Sequence, residues 1–271
     1  MILLIYDIRN TQYARETLAK ITSVDIETWK THNLLYKGRY EYVEQLIEDV
    51  ISRYGHMPTS LDNTTFVYSH ITTSANECFS IKKHGLLNLC DAYMLPDSEL
   101  NAFLSDHNIF INLDDQVLRY NNIRYNISFD ERPNEDNVQK YRNWCVGRKF
   151  FYDYTTCGFL SVDFSRQYGG LVHIRPEILF DIDCLLKTSL SKEWSETHSP
   201  FEVIAKVTGK NIVYDVDNPE DSKNVVMKYI YYAFSNSFDD SMNERVLLLN
   251  DNVSIPPTDI IEIKPLSFWI E

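Results

Sequence analysis

The chain reads as an α+β protein built on antiparallel or mixed sheets. Two observations predict this. Most apolar segments are short and alternate with a period of two, and the helical segments between them follow no regular strand–helix–strand rhythm. Neither GxGxxG nor a Walker sequence occurs, which removes support for the two common nucleotide-binding α/β folds. With 271 residues, 44% of them hydrophobic, the chain has the material for a sizeable core.

In chain order, Ile2 to Ile8 is expected as a short buried strand and Thr11 to Ile21 as a helix. Tyr40 to Arg53 is a clearer helix, with Val43, Leu46, Ile47, Val50 and Ile51 on one stripe. Gly55 and Pro58 end it, and a polar linker follows to Asn63. Residues 1–63 are therefore expected as a small, mostly helical N-terminal appendage, and 64–271 as the main domain. Phe66, Tyr68 and His70 alternate with Val67, Ser69 and Ile71 as a strand ending in His-Ile-Thr. Ser74 and Glu77 have the spacing of a capping box, Lys82, Lys83 and His84 suit a helix C-terminus, and Gly85 suits its stop. A second short helix is expected after Pro96, Asp97 and Ser98.

Ile109 to Leu113, Val117 to Tyr120 and Ile123 to Ile127 are three strands joined by turns at Asp114-Asp115 and Asn121-Asn122. Val138 to Phe151 is a mixed segment. GFLSVDFSRQYGG, residues 158–170, reads as a strand, a short helix and a glycine pair, with Leu171 to Ile174 a further strand and Pro176 to Leu179 a turn or helix start. Phe201 to Thr208 and Ile212 to Asp215 are strands around Gly209. Pro219 to Phe234 is a helix with Val225, Val226, Tyr229, Ile230 and Ala233 inward, and Ser235 to Asn243 is a polar, flexible segment. Glu244 to Leu249 and Ile260 to Ile263 complete the strands.

The formal net charge of −13 argues against nucleic acid held by bulk electrostatics. Between Arg119 and Arg175, however, nine basic residues outnumber six acidic ones. Five cysteines without a CxxC pair read as reduced, mostly buried thiols of a cytoplasmic protein. The apolar start to Ile8 is too short to cross a membrane and lacks the features of a signal peptide, so no membrane association is expected. The seven histidines form no HExxH and no close Cys/His cluster, so no metal site is expected.

SHITTS…IKKHGLL at residues 69–87, GFLSVDFSRQYGG, and NERVLLLND followed by IPPTDIIEI resemble, in that order, the three NAD-binding motifs of ADP-ribosyltransferases. The look is closest to DarT-like bacterial toxin and phage-defence members, and the resemblance covers Thr64 to Glu271. It implies a split, mixed or antiparallel β-sheet fold with short helices, NAD as co-substrate, and transfer of ADP-ribose with release of nicotinamide. It implies that His70 bonds the adenosine ribose, the Ile71 backbone holds the nicotinamide amide, and Thr72 supports the ribose. Ser165 would bond the carboxamide, Tyr168 would stack on the nicotinamide, and Glu244 would bond the 2′-hydroxyl of the nicotinamide ribose. Glu244, His70 and Tyr168 are thus the expected catalytic set. The chain departs from the family at Ile71, where glycine is frequent, and at Phe159-Leu160, where an aromatic pair is frequent. The gap to Ser165 is short, and Met242 replaces the Glu or Gln of arginine-modifying members.

In the resembled family the segment before the glutamate contacts the acceptor; here that points to Tyr231, Tyr232 and Phe238, with Arg166 beside them. Their aromatics suit an unpaired base, and Arg119, Arg124, Arg142, Arg148, Lys149 and Arg166 are candidates for a phosphate track. The expectation is a toxin of a toxin–antitoxin or phage-defence system that modifies nucleic acid, RNA first, with an antitoxin partner implied by the resemblance. Two alternatives stay open: the same chemistry on a protein side chain, and a non-catalytic nucleotide- or partner-binding module. Alone, His70 is equally a structural histidine, Tyr168 one of 18 tyrosines, and Glu244 an exposed strand-edge carboxylate.

Overall fold

The structure, a computed structural model, describes residues 4–36, 39–128, 132–163, 168–214, 221–239 and 242–267. The elements run β1 (Ile5–Tyr6), α1 (Thr11–Thr22), α2 (Ile26–Tyr36), α3 (Val43–Tyr54), β2 (Thr65–Ser74), α4 (Phe79–His84), α5 (Leu89–Met94) and α6 (Glu99–Asp106). They continue with β3 (Ile109–Asn112), β4 (Val117–Tyr120), β5 (Ile123–Asn126), α7 (Val138–Phe151), β6 (Cys157–Ser161), α8 (Glu177–Leu186) and α9 (Leu190–Thr197). The last are β7 (Ser199–Thr208), β8 (Ile212–Val213), α10 (Ser222–Phe238), β9 (Arg245–Leu249) and β10 (Ile260–Pro265). This is the α+β class expected. One sheet of seven strands has the order β10-β7-β2-β6-β9-β8, with β1 joined to β2 in parallel. The β2–β6, β6–β9 and β8–β9 ladders are antiparallel. A separate antiparallel meander has the order β3-β4-β5.

The chain forms two compact units, each discontinuous in sequence. The first is Met1–Ser69, Cys157–Ser165 and Ile204–Leu249; the second is His70–Thr156, Arg166–Val203 and Asn250–Glu271.

The first unit is organised by aromatic contacts. The Tyr6, Phe66 and Tyr229 rings meet at centroid distances of 4.8 to 5.6 Å, and the Tyr6 hydroxyl donates to the Tyr229 carbonyl at 2.8 Å. Residues 1–63 lie wholly within this unit. Helix α1 packs on α10, and Asn236 Nδ2 donates to the Ile8 carbonyl. Helix α10 is buried from Tyr232 through Ser237. The first part of the expected flexible segment, Ser235 to Phe238, is therefore the last helical turn. Its buried polar side chains each donate a hydrogen bond: Ser235 Oγ to Asp239 Oδ2, Asn236 Nδ2 to the Ile8 carbonyl, and Ser237 Oγ to the Ala233 carbonyl.

In the second unit the meander turns Ile109, Ile111 and Leu118 into a core shared with Val146, Phe150, Ile178, Ile182 and Trp194. The mixed segment is helix α7. Helices α5, α8 and α9 stand where no full helix was expected, and Leu171 to Ile174 forms turns in place of a strand. In α9 the N-terminal N–H groups of Leu190 and Ser191 are accepted by the Asp183 carboxylate, reaching over from α8, while Ser189 provides no side-chain cap. A cap borrowed from the preceding helix leaves no local signature.

The capping-box expectation is corrected. Strand β2 continues four residues past His70 to Ser74, and α4 begins only at Phe79. Ser74 Oγ accepts from the Cys78 N–H at 2.8 Å and lies 2.8 Å from Glu99 Oε2, while the Glu77 side chain stays exposed beside Lys82. Asn76 Oδ1 accepts the Phe79 N–H. The histidine thus sits inside β2 and not at its end before α4. Gly85 does end α4: its φ is 88°, its N–H donates to the Ile81 carbonyl, and Leu86 pairs with Ile255. A Cβ at Gly85 would lie 2.0 Å from the Ile255 carbonyl oxygen. Gly85→Ala is therefore expected to destabilise the protein by about 1–3 kcal/mol, from the left-handed backbone and the backbone clash together. Urea unfolding measures this, and an unchanged midpoint would contradict the assigned turn.

Candidate functional site

The entry to β9 is held from two sides. The buried Ser161 hydroxyl donates to the Asn243 carbonyl at 2.5 Å, and Asn243 Nδ2 donates to Ser235 Oγ at 3.1 Å. On β6 the register shifts between Phe159, opposite Val246, and Ser161, opposite Arg245. This is a bulge, a device that re-aims side chains at a sheet margin. Glu244 follows Asn243 directly and immediately precedes the strand. Along β9, Leu247 and Leu249 turn inward while Val246 and Leu248 stay 43% and 41% exposed.

A cleft of about 450 Å³ opens here. Glu244, Arg245, Val246 and Leu248 line it, with Val213 and Tyr214 from the end of β8 and Tyr232 from α10. The Arg245 guanidinium lies 4.2 Å from the Tyr232 ring centre, a cation–π contact. Arg245 Nε and Tyr214 Oη are both buried and without a hydrogen-bond partner among the described residues. Burial, with a smaller contribution from Asp62, pushes the Tyr214 hydroxyl well above the usual tyrosine range, so it stays protonated. The Glu244 carboxylate has no hydrogen bond or ion pair among the described residues, and Arg245 has no ion pair either. Both side chains line the cleft, and no ion pair joins them. The cleft therefore holds one uncommitted carboxylate and one uncommitted guanidinium.

The expected site residues divide. Glu244 and Tyr232 share the cleft. Tyr231 and Phe238 do not line it; Tyr231 is a half-buried neighbour of Tyr232 on α10, and Phe238 packs on Phe234 at 5.0 Å. His70, Ile71 and Thr72 belong to the second unit's part of β2, with His70 and Thr72 half-buried and Ile71 buried. Tyr168 also belongs to the second unit. A Cβ on Gly170 would meet both the Tyr168 ring and Glu177 Oε1, so Tyr168 stands beside the Glu177–Lys149 ion pair of 2.7 Å. Ser165 and Arg166 lie outside the described residues. Of the proposed phosphate track, Arg119 and Arg124 are exposed cross-strand partners, and Lys149 is held by Glu177 and Asp153. The strands that carry the three motifs, β2, β6 and β9, are consecutive neighbours, with Ser69, Phe159 and Val246 in one row.

Arg245 and Tyr214 were not singled out by sequence. Arg245 was visible beside Glu244, but its lack of a partner is a property of its surroundings and not of its spacing. Of the cysteines, Cys78 is buried, three are half-buried and Cys157 is exposed, which corrects the expectation of mostly buried thiols. Among the described residues no group of three or more His, Cys, Asp or Glu is placed to hold a metal ion, and no helix is long and apolar enough to cross a membrane. Comparison of the chain with protein-family models, with curated proteins and with solved structures finds no match.

Proposed function

We propose that the chain is an NAD-dependent mono-ADP-ribosyltransferase with Glu244 as its catalytic carboxylate. The observation that carries this reading is a half-buried glutamate with no hydrogen bond or ion pair among the described residues, lining a cleft just before the third of three adjacent strands whose sequences resemble the family's motifs in order. Buried or half-buried charged groups are ordinarily paired, and an unpaired one in a cleft is a candidate for chemistry.

The reaction suits such a group. The bond between C1′ of the ribose and the nicotinamide nitrogen breaks, and the departing ring keeps the electron pair. Positive charge grows on the sugar, and a fixed carboxylate lowers the energy of that state more than that of the ground state. The acceptor heteroatom then bonds to C1′ and loses a proton. In this reading Glu244 bonds the 2′-hydroxyl of the nicotinamide ribose. By the same resemblance His70 and Thr72 serve the riboses, the Ile71 backbone and Ser165 the carboxamide, and Tyr168 the nicotinamide face. The acceptor is a nucleic acid, RNA first, in keeping with Tyr232 on the cleft wall. The context is a cytoplasmic toxin of a toxin–antitoxin or phage-defence system. The net charge of −13 favours a protein side chain as the second acceptor reading.

Incubation with labelled NAD and separate pools of RNA, single-stranded DNA and protein tests the activity. Label in the nucleic-acid pool is expected; label in protein selects the second reading, and neither label nor free nicotinamide overturns both. Glu244→Gln removes charge but no intramolecular bond, so the variant should fold normally and lose about 10²-fold or more in nicotinamide release, as for loss of one preorganised group. An unchanged rate would sink the assignment. Ser161→Ala frees the Asn243 carbonyl and should lower kcat about 10-fold through misplacement of Glu244. Equal kcat in a folded Ser161→Ala protein would show that this hydrogen bond does not position the carboxylate.

A further inference from the structure

We propose that the Glu244 cleft is a subsite for one phosphodiester-linked nucleotide of a single-stranded nucleic acid, with Arg245 as its phosphate contact. The chain has 39 acidic residues against 26 basic ones, so a guanidinium left without a carboxylate in a cleft is an exception to its surroundings. Arg245 is also held in place. Its guanidinium lies against Tyr232, itself only 8% exposed, and its buried Nε has no acceptor among the described residues. A planar donor fixed by an aromatic face and lacking an acceptor is matched by an oxyanion.

The rest of the cleft specifies what accompanies that oxyanion. Val213 and Leu248 are directly opposed across β8 and β9, and Val246 is two residues along from Leu248. All three are between 41% and 44% exposed. They form an apolar wall on which a ring can lie flat, which requires an unpaired base because a base pair presents only its edges. Glu244 lines the same cleft and sets the charge. One guanidinium beside one carboxylate suits the single charge of a phosphodiester better than the double charge of a terminal phosphate. The inference rests on the proposed function only in taking Glu244 as the group facing the reacting sugar; the binding itself requires no NAD.

Fluorescence anisotropy of a fluorescein-labelled, mixed-sequence single-stranded RNA hexamer, without NAD and between 50 and 200 mM KCl, tests it. Wild type should bind. Arg245→Met should bind about 10-fold more weakly and lose about 0.7 from the slope of log K against log salt, the loss expected for one phosphate contact on a single strand. Arg245→Lys should recover the slope but not the full affinity. Leu248→Glu, on an exposed wall residue that leaves the packing intact, should also weaken binding about 10-fold, and it decides the matter if Arg245→Met fails to fold. No binding by wild type at 50 mM salt, or wild-type binding by both Arg245→Met and Leu248→Glu, overturns the proposal. Displacement of the hexamer by equimolar ADP-ribose would assign the cleft to the dinucleotide and overturns the nucleic-acid assignment. Hexamer binding that depends on Arg245 with no nicotinamide release on any acceptor leaves this subsite standing and removes the transferase. Nicotinamide release with Arg245-independent binding does the reverse.

Discussion

The hydrogen bond from the Ser161 hydroxyl to the Asn243 carbonyl is the contact on which the geometry of the cleft depends. It joins the bulged end of β6 to the residue just before Glu244, and the Asn243 side chain completes the clamp on Ser235 of α10. A carboxylate that carries no hydrogen bond of its own cannot orient itself; here the backbone on its N-terminal side does so. Ser235 is in turn bound to Asp239. The clamp engages Ser161, Asn243 and Ser235, and among the described residues it involves neither the Glu244 carboxylate nor the Arg245 guanidinium.

That arrangement has an energetic logic. Half-burying a charge costs solvation, and the usual compensation is an opposite charge or a set of donors. Adjacent residues of opposite sign could have supplied it, but no ion pair joins Glu244 and Arg245. Among the described residues the guanidinium is compensated by the face of Tyr232, a contact worth about 0.5–2 kcal/mol. Such a cleft is stabilised by any ligand that offers positive charge near the glutamate and negative charge near the arginine. A ribose developing an oxocarbenium centre beside a phosphodiester has that polarity.

Much of the frame was legible in the sequence because it is written in local patterns. Short segments punctuated by turns at Asp114-Asp115 and Asn121-Asn122 gave β3, β4 and β5 nearly to the residue, and the apolar stripe of α3 marked that helix. Gly85 marked a true helix stop. The errors came where a distant partner overrides local chemistry. Ser74 has the spacing of a cap, yet β2 runs through it and its hydroxyl engages Glu99. Helix α9 takes its cap from Asp183, and the polar end of α10 is buried by bonds to residues such as Ile8. In the cleft, Glu244 and Tyr232 were marked only by the resemblance to a family motif and the segment before it; read alone, neither stood out. The role of Arg245 could not be read at all, since an absent neighbour leaves no mark on the chain.

The account stands on Glu244 facing the nicotinamide ribose, and the most direct measurement is a crystal structure of the protein with a non-cleavable NAD analogue. The account predicts a Glu244 carboxylate oxygen within hydrogen-bond distance of the 2′-hydroxyl of that ribose. An analogue bound with its nicotinamide ribose away from Glu244 would contradict it.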